Sequence, residues 1–141
     1  MHVEPYLFFE GRCEEAVEFY RKALGAEVVF MMRYKESPEG NAKCPDGSAP
    51  PGNKVMHSTI KIGDSLVMAS DGLCSGKPSF GGFALSYPAK DEADAKRRFE
   101  ALADGGQVQT NMAETFFAKA FGAVADKFGV SWMVIAGPKN P

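Results

Sequence analysis

Residues 3–34 read VEPYLFFEGRCEEAVEFYRKALGAEVVFMMRY. Residues 3–10 are aromatic and aliphatic and stop at Gly11, which predicts a strand. From Glu14 the period changes. Ala16, Val17, Tyr20, Ala23 and Leu24 recur at helical spacing, while Glu14, Glu18, Arg21 and Lys22 fall elsewhere on the wheel. Gly25 suits the left-handed cap that closes such a helix. Residues 27–34 return to a β-rich composition.

The rest of the chain extends and then repeats this order. Residues 55–62 and 65–71 predict a hairpin around Gly63-Asp64. Residues 72–80 are polar and glycine-bearing and read as a linker. Residues 82–87 predict a strand, and 91–103 a helix with Asp91 as N-cap. Ala95, Phe99, Leu102 and Ala103 supply its apolar face, and Gly105-Gly106 ends it. Residues 107–113 predict a strand, and 118–126 with 130–136 a final hairpin across Lys127-Phe128-Gly129. Phe19 precedes Val28 by the same distance as Phe99 precedes Val108, each pair spanning a glycine helix end. Repetition of a whole ordered series outweighs any single motif. The expectation is an α+β fold of two tandem βαβββ modules, 3–71 and 81–137, forming an open, curved, mixed β-sheet cleft. Helices would cover one side of each sheet, and the other side would line a groove.

Composition narrows the functional classes. Of 141 residues, 45% are apolar and 24% charged, with a net charge of −2, so the chain can build a core and carries no basic stripe for nucleic acid. No apolar run approaches the ~20 residues of a membrane helix. The stretch Met1-His2-Val3-Glu4-Pro5 lacks a charged segment followed by an apolar one, so no secretory leader is expected. Cys13, Cys44 and Cys74 are widely spaced and form no Cys-x-x-Cys pair, which predicts free thiols in a reducing cytoplasm. Residues 35–53 hold four of the nine prolines and three glycines, a long loop of the kind that serves as a lid or lacks structure. Cys44 lies in it and is expected to be exposed.

Several segments carry a family resemblance: Pro5-Tyr6-Leu7-Phe8-Phe9-Glu10-Gly11, Ala16-Val17-Glu18-Phe19-Tyr20, Ala23-Leu24-Gly25-Ala26-Glu27, His57, Met68-Ala69-Ser70-Asp71, Glu114-Thr115-Phe116, and Asp126-Lys127-Phe128-Gly129-Val130-Ser131-Trp132-Met133. Together they resemble the PhnB-like, or demethylubiquinone methyltransferase-like, branch of the vicinal oxygen chelate superfamily. The resemblance implies the glyoxalase/bleomycin-resistance/dihydroxybiphenyl dioxygenase fold, a cytoplasmic setting and a homodimer. It implies no particular reaction, because one fold hosts many. No Gly-x-Gly-x-x-Gly loop marks a nucleotide cofactor, and no other cofactor is expected.

The resemblance also says where metal-dependent relatives place their His, Glu or Gln ligands. Those positions correspond here to Pro5, Met68, Gly82 and Met133, and a two-residue shift gives Leu7, Ser70, Ala84 and Ser131. None suits a divalent cation beyond weak hydroxyl oxygens, so no metal site is expected. Leu7, His57, Met68, Ser70, Ala84, Met133 and Ile135 are instead the expected lining of a site for a small apolar or aromatic ligand, where methionine adapts to its guest. Core filling is the plainer use of the same residues. His57, Asp71 and Glu114 are the candidate acid–base groups. They could also serve a relocated metal site in a lyase, isomerase or dioxygenase. The third alternative is a protein that sequesters an antibiotic. Turn formation and solvation are the plainer readings of Asp71 and Glu114. Lys119, alternating with Ala118 and Ala120, is read as protection of a sheet edge in preference to an anion partner for a ligand. Trp132 is read as core if Met133 faces the ligand.

Overall fold

The structure is a computed structural model that describes residues 2–37, 43–44, 47–72 and 77–138. The expected order of elements is present. In the first module β1 is Tyr6–Phe8, α1 Cys13–Leu24, β2 Glu27–Arg33, β3 Val55–Ile62 and β4 Ser65–Ser70, with one 3-10 turn at Tyr34–Glu36. In the second, β5 is Leu85–Ala89, α2 Glu92–Ala103, β6 Gln107–Ala113, β7 Ala120–Ala125 and β8 Ser131–Ala136. The chain divides into two compact units, Met1–Pro78 and Ser79–Pro141.

Each unit holds one mixed four-stranded sheet. Their orders are β1-β4-β3-β2 and β5-β8-β7-β6. The first strand of each module pairs in parallel with the last, and the remaining pairs are antiparallel. A parallel pair needs a long crossover, which the intervening helix and strands provide.

Helix α1 buries Cys13, Ala16, Val17, Tyr20, Ala23 and Leu24. They cover the side of the first sheet that carries Leu7, Ser58, Ile60, Val67 and Ala69, all of them buried. Gly25 closes the helix at φ 69° and donates its N–H to the Arg21 carbonyl. The first turn has no side-chain cap from Arg12. Asp71, at the far end of β4, caps it instead by accepting the Cys13 N–H.

In the second unit Asp91 caps α2 by accepting the Asp94 N–H at 2.7 Å. Phe99 and Leu102 are buried on the sheet, and the Phe99 ring lies directly over Gly122 of β7. Trp132, Val134 and Ala136 of β8 are buried, while Met133 and Ile135 point the other way.

Three expectations are corrected. The strand expected over 82–87 runs from Leu85 to Ala89, because Gly82 sits at φ 82° outside it. Pro88 is accepted in β5 because that strand is at the sheet's edge. Lys119 guards no edge, since it precedes β7, an inner strand, and its side chain lies against Gly137. Cys44 is neither exposed nor a free thiol. It is buried, its N–H donates to the Ser48 carbonyl, and it is disulfide-bonded. Sequence spacing could not reveal that, because loop closure decides which sulfurs meet. Cys13 is a free, buried thiol, and Cys74 lies outside the described residues.

Candidate functional site: the helix-free face of the first sheet

Strand register decides which side chains share a face. Cross-strand partners point the same way. Tyr6 pairs with Met68, Met68 with Thr59, and Thr59 with Phe30. One step along the strands, Phe8 pairs with Ser70, and Met32 with His57. These residues occupy the side of the sheet that α1 does not cover.

A short polar chain runs through that face. The Tyr6 hydroxyl lies 3.0 Å from His57 Nδ1, joining β1 to β3. His57 Nε2 lies 3.4 Å from Thr59 Oγ1. Aromatic rings surround the pair. Tyr6 stacks on Phe8 at 4.8 Å between centroids, and the Phe30 ring tilts toward His57 at 6.1 Å. An imidazole with both nitrogens engaged is held in orientation, as a binding or acid–base group must be. The chain can pass a hydrogen bond, or a proton, between Tyr6 and Thr59.

The other candidates fall as follows. Met68 shares the face with His57. Ser70 is on that face but buried beside Phe8. Leu7 is a correction. It is 2% exposed, pairs with Ala69, and belongs to the core beneath α1. Tyr6 and Phe8 take the face assigned to it. In the second unit Met133, 38% exposed, and Ile135 lie opposite Trp132 on β8. Ala84 is exposed just before β5, and Glu114 is exposed just after β6.

Asp71 is spent on architecture. One carboxylate oxygen accepts the Gly11 and Cys13 N–H groups at 2.8 and 2.9 Å, and the other accepts the Val55 N–H at 2.7 Å. It makes no hydrogen bond to His57. It borders two neighbouring hollows at the start of α1, of about 310 and 240 Å³, both also lined by Gly11 and Lys54. Lys54 donates its ammonium to the Gly11 carbonyl at 2.9 Å. Glu10, buried at φ 49°, and Tyr34 line the larger one. Burial, helped by the Asp71 carboxylate, raises the Tyr34 phenol above its ordinary pKa.

Sequence reasoning missed Tyr6, Thr59, Phe8, Phe30 and Glu10. The available signal was period two. Phe8 and Tyr6 have the same parity, and Tyr6 lies one residue from the position assigned to the ligand.

The donor set does not fit the metal of the wider superfamily. The Pro5 carbonyl already accepts the Met68 N–H at 2.9 Å, and a thioether at Met68 or Met133 is a poor ligand for a hard divalent ion. Among the described residues, no three His, Cys, Asp or Glu side chains gather as a metal would require.

Comparison with known proteins agrees with the fold. Residues 1–135 match the family model described as 3-demethylubiquinone-9 3-methyltransferase. Protein YjdN of Escherichia coli is 37% identical over 145 aligned positions, covering 100% of this chain and 99% of its own. The crystal structure of PA1353 from Pseudomonas aeruginosa superposes with a TM-score of 0.81 at 34% identity, covering 96% of this chain and 97% of that one. The PhnB protein from Bacillus cereus superposes at 0.79 with 25% identity, covering 97% and 100%. A glyoxylase/bleomycin resistance protein/dioxygenase domain from Frankia shares the fold alone, at a TM-score of 0.63 and 13% identity, with 100% of this chain and 95% of that one covered. The chain belongs to the 3-demethylubiquinone-9 3-methyltransferase family.

Proposed function

We propose that this protein binds a small, largely apolar or aromatic molecule on the helix-free face of its first sheet, without a metal. The observation that carries the reading is the 3.0 Å contact between the Tyr6 hydroxyl and His57 Nδ1, set among the rings of Phe8 and Phe30. Sites for small ligands pair an apolar lining with a few fixed polar groups, and this face has both. Met32 and Met68 supply side chains that adapt to a guest. In the second module, Met133 and Ile135, with Ala84 just before β5, are proposed to line an apolar face of that module's own sheet, opposite Trp132. The protein is proposed to act as a homodimer, which light scattering tests, and in the cytoplasm on the family resemblance alone, since Cys44 is disulfide-bonded.

The family's description speaks of methyl transfer, but little in this chain supports it. No glycine-rich nucleotide loop follows a strand. The start of α1, where such a cofactor would place an anion, already holds the Asp71 carboxylate. A relocated metal site built from His57 and Asp71 is equally unsupported, because Asp71 faces backbone amides.

A thermal-shift screen of aromatic and amphiphilic compounds tests the reading. A ligand at a hundred times its Kd should stabilise the native state by about 2.7 kcal/mol. The gain should shrink in Phe30→Ala and His57→Ala. Stoichiometric zinc, nickel, manganese or iron in protein purified without chelator would overturn the metal-free reading.

A further inference from the structure

The polar chain on the sheet face has a direction, and that direction sorts ligands. Neutral imidazole carries one N–H and one acceptor nitrogen. A phenol is a stronger hydrogen-bond donor than an aliphatic alcohol and a weaker acceptor. The neutral arrangement therefore has the Tyr6 hydroxyl donating to Nδ1 over 3.0 Å, with Nε2–H donating to Thr59 over 3.4 Å. In that state the Tyr6 proton is committed, and its oxygen can only accept from a ligand. Protonated imidazole has two N–H groups and no acceptor. Nδ1–H must then donate to the Tyr6 oxygen, which frees the Tyr6 proton to point at a ligand.

We propose that the Tyr6–His57 pair selects ligands by hydrogen-bond polarity: a donor such as a phenol when His57 is neutral, a carbonyl acceptor when His57 is charged. This rests on the binding reading above and adds the chemical class of the ligand. Protonation inverts the donor–acceptor pattern of an imidazole, and pH is the variable that imposes it.

Among the described residues of the first module, Tyr6 and Thr59 are the side chains that hydrogen-bond to His57. From β1 the titratable group at His57 is Tyr6, and β4 offers Met68 and Ser70 on that face. From β2 come Phe30 and Met32. The next residue, Arg33, is held by Glu14 of α1 at 2.6 Å. Along β3 the same face reaches Lys61, whose cross-strand partner is Glu27. Tyr34 is near enough to Tyr6 to feel its charge and lies beside Asp71 and Glu10. None of these hydrogen-bonds to either member of the pair.

The test uses the full chain with methyl-labelled methionine, titrated with para-cresol and para-methylacetophenone. The two probes match in shape, and neither ionises between about pH 5 and 8. A single mismatched hydrogen bond is worth roughly tenfold in affinity. The ratio of cresol to ketone affinity, read from the Met32 and Met68 methyl signals, should fall roughly tenfold from the alkaline to the acid end. In Tyr6→Phe and His57→Gln the ratio should no longer depend on pH, with circular dichroism confirming the fold. Binding of both probes at a pH-independent ratio would overturn the polarity rule and leave the binding site standing. Failure of both probes to move either methyl signal at any pH would overturn the site as well.

Discussion

The Asp71 carboxylate accepts the Cys13 N–H at 2.9 Å, tying the end of β4 to the first turn of α1. Its remaining bonds go to Gly11 and Val55, so one side chain joins three segments of the first module. Asp71→Ala would strand three amide donors in a largely buried place. We expect a loss of about 3 kcal/mol or more in urea unfolding. Probe affinity, measured where the variant remains folded, should be close to that of the parent. A variant of unchanged stability and lost binding would return Asp71 to the functional site.

Asp126 has the matching duty in the second module. It accepts the Phe128 and Val130 N–H groups and, at 2.9 Å, the indole N–H of Trp132. Trp132 is the chain's one tryptophan, so its emission reports this site alone. Asp126→Ala should red-shift that emission as water reaches the ring, and should lower stability by about 2 kcal/mol or more. Unchanged emission would show that the indole does not need this acceptor.

The Cys13 thiol should be silent. It is fully buried, and burial raises its pKa to about 12, against a weaker opposing pull from the Ser58 hydroxyl. Thiolate is the reactive form. Iodoacetamide at mildly alkaline pH should leave the Cys13 peptide unmodified in native protein and alkylate it in urea, as mass spectrometry would read. Native-state labelling would mean that α1 opens.

Asp94 should give stability an acid limb. Burial pushes its carboxyl up, but the Lys90 N–H and the Arg97 and Arg98 guanidinium groups outweigh this and hold it below its usual value. The folded pKa is below the unfolded one. The contribution is therefore complete above the unfolded value of about 3.9 and vanishes as pH falls through the folded value. Parent and Asp94→Asn should differ in urea midpoint near neutrality and converge at strongly acid pH. A gap independent of pH would assign the effect to shape alone.

Gly122 marks a close approach of helix to sheet. A Cβ there would stand 2.7 Å from the Phe99 ring. Gly122→Val should cost about 1–3 kcal/mol by forcing the ring aside. Gly122→Val combined with Phe99→Leu should recover part of the loss. No recovery would locate the strain elsewhere.

Particular residues show how far sequence carries. The period change at Glu14 and its echo at Asp91 reveal both helices, because charge and apolarity separate cleanly there. In β8, residues 132–136 are all apolar, and alternation fixes only that Trp132 and Met133 take opposite sides. In β1 the case is the same. Tyr6, Leu7, Phe8 and Phe9 are all apolar, so nothing in the composition says which parity faces α1. Composition alone puts Leu7 and Tyr6 equally well on either side of the sheet. The Tyr6–His57 contact bridges 51 positions of sequence. Its geometry follows from the β1–β4 and β4–β3 registers together, which no local window contains.

That route has a consequence for how the protein comes into being. Within its sheet β1 is bonded to β4. Tyr6 therefore has no fixed place beside His57 until a strand synthesised after both has inserted between β1 and β3. A chain still emerging from the ribosome, with β4 inside the exit tunnel, holds each half of the pair and not the pair itself. The Tyr6–His57 face is among the last features of its module to exist, since pairing of such distant segments must first meet the entropy of closing the loop between them.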